Sequence, residues 1–207
     1  MMKGAGRPRA HMTKSQKVDY FRVTGKLTDV NFLVGKEGST STFQAHKLIL
    51  ACCSPVFEEM FCLTSDPISD PIRVTDVSKE SFQNLIEFVY GQNVYLKDLK
   101  TAMETYKTAM KYKVKELTTQ TELFIIKEVT PDSALKILQI ALKLKMRFVR
   151  EKCVNVIEQN ADRILSSDDF IRLPRLIFDM VLKMKLKASE MQILYAVYRW
   201  KNANNAC

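Results

Sequence analysis

The sequence predicts an α+β unit with a small β-sheet and helical hairpins, followed by an all-α helical array, and three observations carry that expectation. Apolar residues alternate with others in LTDVNFLV, STSTF and IRVTDV, all before residue 78, which is the period of half-buried strands. From Ser78 onward the apolar spacing becomes i, i+3, i+4, i+7, the period of amphipathic helices. All six glycines fall before residue 92, so turns that need a glycine belong to the first half of the chain.

Taken in order, Val30, Phe32 and Val34 alternate ahead of a Gly-Lys-Glu-Gly turn and a second β-branched run, which predicts a β-hairpin. LILACC suits a buried helix, and Ser54-Pro55 supplies a cap and a first-turn proline for a second one over VFEEMF. The polar loop CLTSDPISDP follows, and IRVTDV reads as a third strand. The next helix has Ser78 as its cap, Val77 and Phe82 as a hydrophobic staple, and Gly91 as its stop. NVYL is an edge strand or an extended connection, after which Leu99, Ala102, Met103, Tyr106 and Met110 resume helical spacing. Residues 117 to 200 read as successive helices beginning at Thr130-Pro131-Asp132, at Ser166 or Ser167, and at Ser189, where Gln192 completes a capping box. Two faces, Leu135/Leu138/Ala141/Leu142 and Met191/Leu194/Val197/Tyr198, are expected to pack inward.

The 207 residues are 46% hydrophobic and carry a net charge of +9. Residues 1 to 26 hold seven Lys or Arg against one acid and supply about six of those charges, so the folded remainder is only mildly basic. Residues 1–17 are expected to be a disordered basic tail. Its Gly6-Arg7-Pro8-Arg9 is similar to hooks that place arginines in narrow minor grooves, which confines any nucleic-acid contact to the tail. No apolar run approaches the roughly 18 residues of a membrane span. The opening residues lack a secretory core, and five unevenly spaced cysteines fit a reducing compartment, cytoplasmic or nuclear.

His46, Cys52, Cys53 and Cys62 are the donor types of tetrahedral zinc. Adjacent cysteines on a helix point about 100° apart, however, and no CxxC pair accompanies them. Cys52 and Cys53 fall late in an apolar helix, which predicts buried, inert thiols. There is no glycine-rich phosphate loop, and Glu58, Glu59, Asp66, Asp70 and Asp76 lack a second histidine to form an acid-base pair. No catalytic residue, metal or cofactor is expected.

With these elements in order, LTDVNFLV, FQAHKLILACCSPVFEEMF, IRVTDVSKESFQNLIEFVYGQNV and LKDLKTAMETYKTAMKYKVKEL resemble the BTB/POZ family over residues 18–117. Residues 118–207 are similar to the helical BACK extension through SALKILQIALKLKMRFVREKCVNVI and SEMQILYAVYRW. The resemblance implies that His46 is structural and that the chain forms a homodimer through VDYFRVTGKL. Tyr20, Phe21 and Leu27 would then lie at the interface, with a charged pair Asp29 and Lys47 beside it. It further implies docking to a cullin-3-type scaffold through a hydrophobic-x-Glu element, which maps to Ile68-Ser69-Asp70 with aspartate in place of glutamate, flanked by Phe61 and Tyr106. The function so implied is a non-catalytic adaptor that links an unknown protein substrate to a cullin-3 ubiquitin ligase. The alternative is a nuclear transcriptional or architectural scaffold whose tail contacts DNA.

Overall fold

A computed structural model describes residues 11–36, 38–63 and 69–204. The chain divides into two compact units, Met1–Thr121 and Glu122–Cys207.

The first unit is built on β1 (Val30–Val34), the centre of a three-stranded sheet in the order β2-β1-β3. β2 (Ser41–Ala45) pairs with it antiparallel, placing Phe43 opposite Phe32, as the hairpin reading expects. β3 (Ile72–Val74) pairs with β1 in parallel, with Ile72 opposite Phe32. Parallel pairing demands a crossover rather than a tight turn. That crossover contains α2 (Lys47–Cys53), α3 (Pro55–Glu58) and a π-helical turn, Glu59–Leu63. Gly35 closes the hairpin at φ +120°, with its N–H on the Val74 carbonyl at 2.9 Å. A Cβ there would stand 2.5 Å from the Ser39 carbonyl oxygen, so only glycine fits.

Alternation along β1 buries Val30, Phe32 and Val34. Phe32, Phe57 and Phe82 are fully buried, with Phe32 and Phe82 ring centres 5.2 Å apart and Phe57 stacked on Tyr112 at 4.5 Å. Ser54 joins local and tertiary structure: its hydroxyl accepts the Phe57 N–H, capping α3, and donates to the Tyr112 carbonyl at 2.6 Å. Two otherwise orphaned backbone groups are thereby satisfied. α4 (Lys79–Val89) starts at its Ser78 cap and ends before Gly91, which has φ +74°. The expected staple is present, since Phe82 is buried and Val77 packs on the same core. Residues 92 to 98 contain no strand. α5 (Leu99–Lys111) is capped by Asp98 and packs on α4, where the Asn84 amide donates to the Thr105 hydroxyl at 2.9 Å.

The N-terminal reading needs correction. α1 (Lys14–Val23) begins inside the segment expected to be disordered. A capping box of Thr13 and Gln16 starts it, and the Ser15 hydroxyl pins it to the Tyr90 carbonyl at 2.9 Å. α1 buries no residue. Residues 1–10, including the Gly-Arg-Pro-Arg stretch, lie outside the described residues.

The unit boundary falls inside α6 (Lys115–Lys127). Beyond it come α7 (Ala134–Lys143), α8 (Arg147–Gln159), α9 (Ala161–Ser166), α10 (Asp168–Ile171), α11 (Arg175–Leu182) and α12 (Glu190–Asn204). α7 and α8 pack as a hairpin around buried Leu135, Leu138, Ala141, Val149 and Cys153. Ser167 caps α10, while Ser189 and Gln192 make the expected box before α12. α7 starts later than expected because Thr130 to Ser133 form a turn, with the Ser133 hydroxyl accepting the Thr130 N–H.

The face of α12 is also corrected. Met191, Leu194 and Tyr198 are 60% or more exposed, whereas Ala196 and Trp200 are buried. Small Ala196 lets the helix approach closely, and Trp200 stacks on Phe178 at 4.0 Å while its indole N–H donates to the Leu173 carbonyl at 2.9 Å. Among the described residues, no helix is long and apolar enough to cross a membrane.

Candidate functional site

Of the residues singled out in the sequence, Asp29, His46 and Lys47 meet at the start of β1. His46, which precedes α2, is held at both ring nitrogens. A carbonyl can only accept, so Nε2 carries the proton and donates to the Lys26 carbonyl at 2.9 Å. The Tyr90 hydroxyl then accepts the His46 backbone N–H at 2.8 Å and donates to Nδ1 at 2.7 Å. Burial pushes the Tyr90 hydroxyl pKa up to about 12, which keeps it a donor at neutral pH. His46 thus clamps the turn after α1, the start of α2 and the end of α4 together. Its ring has no lone pair left for a metal, and among the described residues no group of three or more metal-ligating side chains is assembled.

Next to this clamp, Asp29 accepts the Lys47 backbone N–H at 2.7 Å, which places a carboxylate at the start of α2. The expected charged pair is therefore not a side-chain ion pair. The Lys47 ammonium instead lies 5.9 Å above the Phe61 ring. Phe61, in the π-helical turn, is half-buried and stacks on Phe57 at 5.8 Å. Two residues beyond Asp29, Asn31 donates its amide to the Asp70 carboxylate at 3.0 and 3.2 Å and fixes that exposed side chain. Ile68 lies outside the described residues. Asn31 is the residue that the sequence reading missed.

On α1, Tyr20 and Phe21 are half-buried, with their ring centres 6.0 Å apart. The Tyr20 hydroxyl is buried with no hydrogen-bond partner among the described residues, a costly arrangement for a polar atom. Leu27 is 82% exposed and in the left-handed region at φ +60°. Val23 and Leu48 are likewise in solvent, at 66% and 71%.

Two expectations fail on burial. Tyr106 is only 5% exposed and lies on the inward face of α5 with Ala102, Met103 and Ala109, so it offers no outer surface for docking. Cys52, Cys53 and Cys62 are exposed, the first two because Leu50 takes the inward position of α2; among the described residues Cys153 is the buried thiol. Partial burial, then the neighbouring Cys52 and Glu116, still raise the Cys53 pKa and disfavour its thiolate.

Comparison with known proteins agrees with this architecture. The BTB/POZ domain model matches residues 18–129, more than half of the chain, and the BACK model, BTB And C-terminal Kelch, matches residues 134–207. The chain is 28% identical to human BTB/POZ domain-containing protein 6 over 178 residues, covering 86% of this chain and 33% of that protein. It is 28% identical to human Kelch-like protein 26 over 182 residues, covering 86% and 29%. Against BTB/POZ domain-containing protein 3 of Mus musculus it is 27% identical over 175 residues, covering 84% and 33%. The chain spans about a third of the length of these relatives. With the strand order, the Ser54-capped helical pair and the family matches in agreement, the chain belongs to the BTB/POZ family and carries a BACK domain behind its BTB domain.

Proposed function

We propose that this chain is a non-catalytic adaptor whose BTB unit forms a homodimer and docks a cullin-3-type scaffold, while the BACK unit serves presentation of a protein substrate. One observation carries the reading. Val23, Leu27 and Leu48, at the segments joined by His46, are exposed large aliphatic residues beside a helix with no buried residue of its own. Apolar side chains in such a position gain by being covered with another protein surface. A partner chain across α1 would cover them.

The cullin surface is assigned to Phe61 and the Ile68-Ser69-Asp70 element. Asn31 supports this by fixing the Asp70 carboxylate at the surface, where a shorter acid stands in the position of the family's glutamate. Tyr106 is left out of this surface because it is buried. The mechanism is proximity: holding substrate and ubiquitin carrier on one scaffold replaces an encounter of dilute partners by a local one, and a dimer adds avidity. Cytoplasm or nucleus suits this chemistry.

Titration with the N-terminal region of cullin-3, read by calorimetry, tests the docking. Submicromolar binding that is lost in an Ile68→Ala, Asp70→Ala variant supports it, and no binding by the unaltered protein rejects it. Sedimentation of the unaltered chain and of a Leu27→Asp, Leu48→Asp variant tests the dimer: the first is expected to sediment as a dimer and the second as a monomer.

A further inference from the structure

A cavity of the first unit lies away from the residues assigned above. It occupies about 710 Å³ and is lined by the turn between β1 and β2, the start of α4 and one face of α5, a size typical of ligand sites. Four of its lining residues are lysines: Lys36 from the turn, Lys79 at the first position of α4, and Lys107 and Lys111 four apart on α5. Like charges at that helical spacing repel one another, and here two further ammonium groups face the same space.

Two carboxylates stand among the described lining residues, and only Asp76 is ion-paired. Asp76 pairs with Lys111 at 2.5 Å, and Glu104 accepts the Ser78 hydroxyl at 2.7 Å. Among the described residues, Lys79 donates to the Ser39 hydroxyl at 3.3 Å and to no carboxylate. Among the described residues, Lys36 and Lys107 have no carboxylate within ion-pair distance. Three further cationic groups from three elements therefore face one hollow against the single unpaired charge of Glu104, an excess of positive charge among the described lining residues.

We propose that this cleft binds an acidic segment of another polypeptide. The lining selects that class of ligand. It contains no aromatic ring on which a base could stack and no arginine to grip a phosphate with two parallel hydrogen bonds. Separated lysines are mobile point charges suited to carboxylates spaced along an extended chain. The hydroxyls of Ser39 and Thr75 add polar groups to the lining. This site is independent of the cullin reading.

A fluorescein-labelled glutamate-rich peptide, titrated at low ionic strength and followed by anisotropy, tests the proposal on the full chain. The Lys36→Gln, Lys107→Gln variant removes two exposed cleft charges. The Lys152→Gln, Lys201→Gln variant removes two exposed charges elsewhere. The peptide is expected to bind the unaltered chain, to bind the cleft variant about tenfold more weakly, and to bind the control variant within about twofold. No binding by the unaltered chain, equal loss in both variants, or tighter lysine-dependent binding of a single-stranded oligonucleotide would each overturn it.

Discussion

Helices α1 and α12 both leave large apolar side chains in solvent and both use side-chain hydrogen bonds to neighbouring carbonyls, yet only α12 also buries a large aromatic. α1 has no fully buried residue and is held by part-buried Val18 on the core and by polar pegs: the Ser15 hydroxyl on the Tyr90 and Gly91 carbonyls at 2.9 and 3.3 Å, and the Arg22 guanidinium 5.2 Å above the Tyr90 ring. α12 buries Ala196 and one indole, Trp200, which stacks on Phe178 and donates to the Leu173 carbonyl, and it adds its own pegs from Arg199 to the Ser166 carbonyl and from Asn204 to the Ile171 carbonyl. Hydrogen bonds of the first kind contribute about 1 kcal/mol each and fix position more than they bind. A buried aromatic contributes several times that. α1 is consequently a helix that can trade its contacts for those of a partner at low cost, and α12 is one whose removal opens its unit.

The largest effect expected from this contrast is on Trp200. Trp200→Ala is expected to cost the second unit about 3–5 kcal/mol, the usual range for deleting a buried tryptophan. Cys153 is buried in that unit, so its alkylation rate under native conditions, followed by mass spectrometry, reads the loss directly. The rate should rise strongly, while amides of β1 and α4 keep their protection. Equal loss in both units would remove the distinction between the two modes of attachment.

At α1 the changes are smaller and coupled. A Cβ on Gly91 would meet the Ser15 Oγ at 2.6 Å, and φ there is +74°. Gly91→Ala should therefore cost about 1–2 kcal/mol and speed exchange of the α1 amides. Part of that cost is the clash, so Gly91→Ala should be milder in a Ser15→Ala background, an interaction visible in a double-mutant cycle. Strict additivity would mean that Ser15 is not the peg. Smaller still is Asn31→Ala, which releases an exposed carboxylate. Its effect on stability should stay within about 0.5 kcal/mol, while cullin-3 binding weakens several-fold in the titration described above.

The same contrast marks what could be read from the chain and what could not. Signals local to a few residues were legible: the alternation of Val30, Phe32 and Val34, the Ser54-Pro55 and Ser78 caps, and the Ser189/Gln192 box all form as the spacing predicts. The Thr13/Gln16 box was equally local and would have extended the fold four residues into the tail, but charge composition masked it. Burial of a helix face is a tertiary property. The more apolar side of α12 faces solvent because Ala196 permits a closer approach than Leu194 would, and the cysteines of α2 face out because Leu50 fills the inward position. Tyr106 satisfied the helical pattern on either reading, and only packing decided that it is buried. Parallel pairing of β3 with β1 joins residues about forty apart, which no local spacing encodes. At the candidate surface, Asp29, Lys47 and Phe61 were found by resemblance, whereas the Asn31 hold on Asp70 needed coordinates.

The two units should also part company in alkali, the mildest of these effects because it vanishes at neutral pH. Burial raises the Cys153 thiol from an ordinary 9.0 to about 12, and burial likewise raises the Tyr90 hydroxyl from 10.0 to about 12. In both groups the neutral form is the one that folding favours, so the folded state holds its proton more tightly than the unfolded one. Their contribution is complete below the unfolded values and is lost as pH climbs toward the folded ones. The second unit should therefore begin to lose the Cys153 contribution near pH 9, and the first should lose those of Tyr90 and of Tyr112, which burial also raises, from about pH 10, after a smaller loss from the partly exposed Cys53. Denaturant midpoints measured at rising pH, with segment-resolved hydrogen exchange to separate the units, test this. Cys153→Ala should flatten the pH dependence of the second unit between pH 9 and 12 and leave that of the first unchanged. An unaltered slope in the variant would show that the buried thiol does not govern the alkaline response.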